Sequence, residues 1–208
     1  MPYSDLWESG LNALDCHPTE TQLIQLKQFV ELLERWNKTY NLTSVREVKD
    51  MITLHIFDSL VVADYIKGAN CLDVGSGAGL PTIPLAIMQP ERQFTALDTN
   101  GKKTRFIQQA VIELGLKNVK VEQARIENWS TETRFDAIIS RAFASVYDFV
   151  SASAQHLSDD GILYAMKGQF PESELQNLPK NYILKTTYAL DVPYVDAERH
   201  LLEITYEA

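Results

Sequence analysis

Cysteine is scarce in this chain of 208 residues, which holds only Cys16 and Cys71. Two thiols make no disulfide framework, so an apolar core must hold the fold. Long hydrophobic runs are missing as well. Stretches such as Leu60-Val61-Val62-Ala63 fall far short of the roughly 20 apolar residues that cross a bilayer. The segment MPYSDLWESG has neither the basic region nor the apolar stretch of a secretory signal, so a cytoplasmic protein with no membrane partner is expected. Repeats, low-complexity tracts and Gly/Ser linkers are absent, which excludes solenoids and tethered modules. The histidines His17, His55, His156 and His200 show no H-x-x-x-H spacing and the cysteines no C-x-x-C, so no metal is expected.

Positive charge is in deficit too. Lys plus Arg is 19 against 28 for Asp plus Glu, a net charge of −9. Nucleic-acid binders neutralise phosphates, so this balance argues against a uniformly basic binding face. The deficit is uneven. Residues 1–68 carry −4 and 151–208 carry −5, whereas 69–150 are neutral and include the cluster Lys102, Lys103, Arg105. A local basic face remains open, although a charge run on a helix is usually a solvated face.

What is present is a globular composition, 45% hydrophobic and 23% charged. Thr19 and Gln22 form a capping-box pattern at a helix start. Leu23, Leu26, Val30 and Leu33 follow as one apolar stripe, with Phe29 and Trp36 beside it. A break is expected at 37–44 and a second helix over 47–66. From residue 69 the rhythm alternates. Strands are expected over 70–74, 93–97, 119–123, 137–140 and 162–166, with helices after the glycines and over 102–114. Segments 183–190 and 200–206 could close the sheet as an antiparallel pair. The expected fold is α/β, a doubly wound, mostly parallel sheet, with residues 1–68 as a helical extension and 69–208 as the ligand-binding domain. A monomer is the default expectation.

The chemistry centres on Leu72-Asp73-Val74-Gly75-Ser76-Gly77-Ala78-Gly79-Leu80-Pro81. A glycine-rich turn after the first strand lets a ligand approach the backbone, yet glycines alone also mark ordinary turns. Asp98 ends the second strand, where a carboxylate can accept both hydroxyls of a ribose. Asp73 narrows the choice of cofactor. A carboxylate there repels a dinucleotide's pyrophosphate and attracts the sulfonium and ammonium of S-adenosylmethionine. The spacing is G-x-G-x-G rather than G-x-G-x-x-G, which points the same way. A bland alternative for Asp73 is a charge partner for the helix N-terminus.

This loop resembles the first motif of class I methyltransferases. Further runs narrow the likeness: Asn41-Leu42-Thr43-Ser44-Val45-Arg46, His55 with Asp58-Ser59, Ser140-Arg141-Ala142-Phe143-Ala144, Lys167-Gly168-Gln169 and Glu198-Arg199-His200. From about residue 20 onward the chain is similar to the ribosomal small-subunit RNA methyltransferase G family, also called glucose-inhibited division protein B. Ser76 and Ala78 stand where relatives often have Thr and Pro. The resemblance implies a seven-stranded, Rossmann-like methyltransferase fold and methyl transfer from S-adenosylmethionine to guanine N7 in the 530 loop of 16S rRNA. It implies 16S rRNA or the small ribosomal subunit as partner. The implied cofactor pocket comprises Gly75, Gly77, Leu80, Asp98, Ile126, Glu127 and Arg141. Arg141 is also the catalytic candidate, and Lys167, Arg199 and His200 are substrate candidates at the RNA rim.

Bland readings stand beside these. Arg141 could pair on the surface with Glu127 or Asp136. His55, Asp58 and Ser59 share one helix, so they project together rather than converge as a hydrolase triad. Capping, packing or an RNA-facing polar cluster suits them better. Trp36 and Tyr40 could stack on bases, but their helical spacing favours packing. The rival functions are a nucleotide-dependent oxidoreductase, a non-catalytic RNA-binding module and a small-molecule methyltransferase.

Overall fold

The computed structural model describes residues 3–141 and 143–207. Ala142, part of one of the runs above, lies outside the described residues, as do Met1 and Pro2 of the N-terminal segment. Seven strands form one sheet: β1 (Asn70–Val74), β2 (Gln93–Asp98), β3 (Val119–Gln123), β4 (Phe135–Ser140), β5 (Leu157–Lys167), β6 (Tyr182–Ala189) and β7 (His200–Tyr206). Their order is β3-β2-β1-β4-β5-β7-β6. β1 to β5 pair in parallel, and β7 is antiparallel to both β5 and β6. The order reverses between β1 and β4, which opens a crevice at their carboxyl ends. The chain has the doubly wound, Rossmann-like fold that the sequence predicts.

Helices α1 (Ser4–Ala13) and α2 (Glu20–Tyr40) precede the sheet. The capping box is present: Gln22 N donates to Thr19 Oγ1 at 3.3 Å, and Thr19 N donates to Gln22 Oε1 at 2.9 Å. Such a cap stabilises a helix start by about 1 kcal/mol. Gln22 Nε2 also reaches Ile87 O at 2.9 Å, and Gln25 Nε2 reaches Leu114 O at 2.8 Å. Those carbonyls close α5 (Thr82–Met88) and α6 (Gly101–Leu114), where the backbone lacks helical donors. Phe29 and Trp36 pack on Phe106 of α6, with centroids 6.0 and 5.6 Å apart. The extension therefore shares a core with the sheet's own helices. Trp36 packs as expected, whereas Tyr40 leans on it with its ring half in solvent.

Several bounds differ from expectation, among them the start of β5, which is Leu157 rather than 162. The break begins only after Tyr40, with Asn41 in the left-handed region at φ 51°. Asn37 does not interrupt α2, because its buried amide serves the following loop: Nδ2 donates to Val45 O at 2.8 Å and Oδ1 accepts from Thr43 N at 2.9 Å. The helix expected over 47–66 is three pieces, α3 (Val48–Met51), a π-helical turn (Ile52–Phe57) and α4 (Asp58–Leu60). Within that turn the Asp58 N–H reaches Thr53 O, one residue further back than in an α-helix. The remaining helices are α7 (Val146–Ser153) and α8 (Glu172–Leu175).

Candidate active site

The glycine loop is pinned to the tip of β2. Gly75 N and Ser76 N both donate to Leu97 O, at 2.8 and 3.1 Å, and Ser76 Oγ donates to Asp73 O at 2.9 Å. Gly75 has φ 75°, a conformation that suits glycine, and a Cβ there would meet nothing within 4 Å. Its open face borders a cavity of about 210 Å³ lined by Val74, Gly75, Asp98, Ile126, Glu127 and Phe143, among others. Asp98 is 8% exposed and holds the loop as well as the cavity. Its Oδ2 accepts from Gly77 N and its Oδ1 from Asn100 N, both at 2.8 Å. Each oxygen keeps capacity for a further donor. Ile126 forms a buried apolar wall, and Glu127 is exposed at the rim. His156 Nε2 lies 3.3 Å from Ile126 O, which supports the turn from below.

Leu80 does not line this cavity. Its side chain is 2% exposed and belongs to the core cluster that includes Ile83 and Ile107, while its N–H donates to Ser76 O at 2.9 Å. Asp73 differs as well. It is fully buried beneath the loop, and its Oδ2 accepts from Thr82 Oγ1 at 2.6 Å. Burial pushes its carboxyl up to about 7, against the opposing hydrogen bonds from Thr82 and Ser76 and the nearby Arg141. Thr82 opens α5, so the helix-terminus role is real. Its Oδ1 is buried without a hydrogen-bond partner.

Ser140 Oγ donates to Val74 O at 2.8 Å and locks the tips of β4 and β1 together. The loop that follows walls two cavities. Phe143 faces the first, and Arg141 faces a second of about 370 Å³ lined also by His55, Asp58, Lys167, Arg199 and His200. The structure thus brings together Arg141, Lys167, Arg199 and His200, which the sequence supplies from three separate runs. The surface pairing weighed for Arg141 is absent. Its NH1 lies 3.5 Å from Asp58 Oδ2 and 3.4 Å from Leu54 O. Asp136 instead accepts from Ala69 N and Asn70 N. Lys167 Nζ donates to Glu174 at 3.0 Å, and His200 Nδ1 lies 2.8 Å from Gly168 O. Lys102 and Lys103 sit on α6 behind the loop, where Asn100 caps their backbone amides.

Asp58, which the sequence offers only as part of a polar cluster with His55 and Ser59, has a partner that sequence reasoning missed. It is buried, and Arg199 Nε donates to its Oδ1 at 2.7 Å across 141 positions of chain. No triad forms with its neighbours, since the Ser59 hydroxyl donates to the His55 carbonyl. His55 sits with Nδ1 3.0 Å from Leu54 O and Nε2 2.9 Å from Thr43 Oγ1. A carbonyl only accepts, so Nδ1 carries the proton and Nε2 accepts from the threonine. The run Asn41–Arg46 thereby buttresses the second cavity.

Burial and the Arg141 charge lower the His55 pKa to about 4, against the Leu54 carbonyl and Asp58. The unfolded chain protonates this imidazole near the ordinary histidine value of 6.5, so it binds more protons than the folded chain between pH 6.5 and 4. Stability should fall across that window as pH drops, by roughly 3 kcal/mol in total. Denaturant titrations at pH 7 and pH 4.5 on the native protein and His55→Gln check this. The variant should lose less stability on acidification, and equal losses would contradict the assignment.

Among the described residues no helix is long and apolar enough to cross a membrane, and no group of three or more His, Cys, Asp or Glu side chains could hold a metal ion. Solved structures with this fold include TrmN from Thermus thermophilus, with a TM-score of 0.57 at 16% identity over 83% of this chain and 52% of that one. A methyltransferase from Thiobacillus denitrificans in complex with S-adenosyl-L-homocysteine gives 0.53 at 13% identity over 73% and 90%. At such identities the likeness speaks for the fold. Sequence relatives are much nearer. The ribosomal RNA small subunit methyltransferase G of Aeromonas hydrophila is 50% identical over 90% of this chain and 88% of its own length. That of Shewanella sp. is 44% identical over 96% and 97%. The family described as GidB, rRNA small subunit methyltransferase G, matches residues 22–202. The chain belongs to the rRNA small subunit methyltransferase G family.

Proposed function

We infer that the first cavity binds S-adenosylmethionine and that the second receives a guanine of the 530 loop of 16S rRNA, which is methylated at N7. The observation that carries this reading is that residues just after β4 line both cavities, Phe143 the one with nucleoside-type groups and Arg141 the one with a cation cluster. The residues fit the cofactor. Asp98 would hold the ribose, Gly75 and Gly77 would admit the ligand to the backbone, and Ile126 and Glu127 would flank the adenine. Leu80 would act through the loop it anchors, and Arg141 would hold a carboxylate or phosphate at the boundary. The orphaned Asp73 Oδ1 beneath the loop suits a cationic ligand. When bound, the cofactor supplies an electrophilic methyl group on a cationic sulfur.

The chain's own work is then positional. Guanine N7 carries an in-plane lone pair and no proton, so no general base is needed. His55 is consistent with this, since both its ring nitrogens are engaged. Arg141, Lys167, Arg199 and His200 would hold phosphate, sugar or base edge and fix the approach of N7. Orientation of this kind contributes about 7–11 kcal/mol in favourable cases. In functional terms, residues 1–68 would supply one wall of the acceptor cavity through Leu54, His55 and Asp58, and 69–208 would supply its cations and the whole cofactor cavity.

The chemistry is tested by borohydride and aniline treatment of small-subunit RNA methylated in vitro, which cleaves chains at 7-methylguanosine. One cleavage in the 530 loop, dependent on the protein, is expected. Methylated RNA that resists cleavage would overturn the N7 assignment.

Asp73 supplies a second expectation. In the free protein its carboxyl is largely protonated below pH 7. A cationic ligand favours the ionised form, so binding should release a proton and affinity should fall by up to about tenfold per pH unit below 7. Calorimetry in buffers of different ionisation enthalpy measures that proton. Release that persists unchanged in Asp73→Asn would contradict the role.

A further inference from the structure

The second cavity contains an acid where its proposed RNA substrate calls for bases. Asp58 lies at its floor, buried, with Arg199 Nε donating at 2.7 Å to one oxygen and Arg141 NH1 at 3.5 Å from the other. The two contacts are unequal. Arg199 is also held by Glu198 O, to which its NH1 donates at 2.9 Å. Arg141 has only long contacts, to Asp58 and to Leu54 O. Leu54 O is available because the π-helical turn sends the Asp58 N–H to Thr53 O instead. π-turns of this kind concentrate at functional sites.

A buried carboxylate needs a partner, and here both partners are cations that would face an RNA. With Asp58 on one edge, each guanidinium keeps its remaining N–H donors for a planar ligand such as phosphate or a purine edge. We propose that Asp58 is a positioning residue for methyl transfer: it clamps Arg199 as a fixed prong and tethers Arg141 as a looser one that closes on the substrate. The proposal rests on the functional reading above and extends it to a residue that never touches the methyl group.

The test is a double-mutant cycle between Asp58→Asn and Arg199→Ala. Single-turnover transfer of labelled methyl to small-subunit particles is measured together with S-adenosylmethionine affinity. Asp58→Asn should lower the transfer rate at least tenfold and leave cofactor affinity within twofold. In the Arg199→Ala background the same change should cost several-fold less than in the native protein, because only the looser tether to Arg141 is left to lose. If Arg199→Ala alone abolishes transfer, the cycle is read on particle-binding affinity with the same thresholds. Equal factors in the two backgrounds would overturn the proposal, as would a native rate in Asp58→Asn. Asp58→Glu keeps the charge but moves the carboxylate by one methylene. A loss near that of Asp58→Asn supports positioning, and a native rate would show that charge alone suffices. A native protein that transfers no methyl to any small-subunit particle would refute the underlying reading instead.

Discussion

Asp98→Ala is expected to weaken S-adenosylmethionine binding by at least about a hundredfold, without unfolding the protein. Two terms act together. The carboxylate would lose its hydrogen bonds to the ribose, and those to a charged acceptor contribute about 1.5–3 kcal/mol each. It would also release Gly77 N and Asn100 N, which it now holds at 2.8 Å, so the glycine loop would lose the tie that shapes the cavity. The stability loss should be modest, because Gly75 N and Ser76 N still anchor the loop on Leu97 O. Asp98→Asn keeps one acceptor oxygen and should fall between the two. Calorimetry and thermal unfolding measure both effects, and native affinity in Asp98→Ala would remove this residue from the cofactor site.

Arg141→Ala should lower methyl transfer by about 10² while the fold survives. Its polar contacts among the described residues are long, and removing it leaves Asp58 still paired with Arg199. No uncompensated buried charge results. Arg199→Ala makes the useful contrast. It removes the 2.7 Å partner of a buried carboxylate, so it should cost more stability than Arg141→Ala. Single-turnover rates and denaturant midpoints on the two variants check both statements. Full activity on the RNA substrate in Arg141→Ala would exclude it from the site.

The sheet was legible because its signals are local. Strand β1 reads as a short apolar run ending in glycines, and β7 as an alternating one. Gly75 and Asp98 of the first cavity were also legible, since a glycine loop and an acid at the next strand tip lie within one βαβ unit. Ile126 and Glu127 came from the family resemblance, whereas Gly77, Leu80 and Arg141 do not line that cavity. The second cavity was legible only in part. Arg141, Lys167, Arg199 and His200 can be picked as strand-end residues, but nothing local says that Asp58 joins two of them. That link spans 83 positions to Arg141 and 141 to Arg199. The available signal was weaker: a carboxylate on the apolar side of a helix must find a distant partner. The π-helical turn was invisible for a related reason. Periodicity over 47–66 reads as one helix, and nothing in that pattern marks the extra residue that shifts the register. Asp73 was read correctly as an acid by the loop, while its burial and its hydrogen bond to Thr82 needed the fold. Leu80 shows the reverse, since a loop position does not reveal that its side chain turns into the core.

The central claim is that two cavities, lined by Phe143 and Arg141 just after β4, pass a methyl group from cofactor to small-subunit rRNA. Its most direct test is transfer of labelled methyl from S-adenosylmethionine to small-subunit particles from cells lacking this protein, with the product nucleosides identified by mass spectrometry. The account predicts a single labelled nucleoside, 7-methylguanosine, from the 16S rRNA. Cofactor binding with no label in any RNA would contradict it and would point to a small-molecule acceptor in the second cavity.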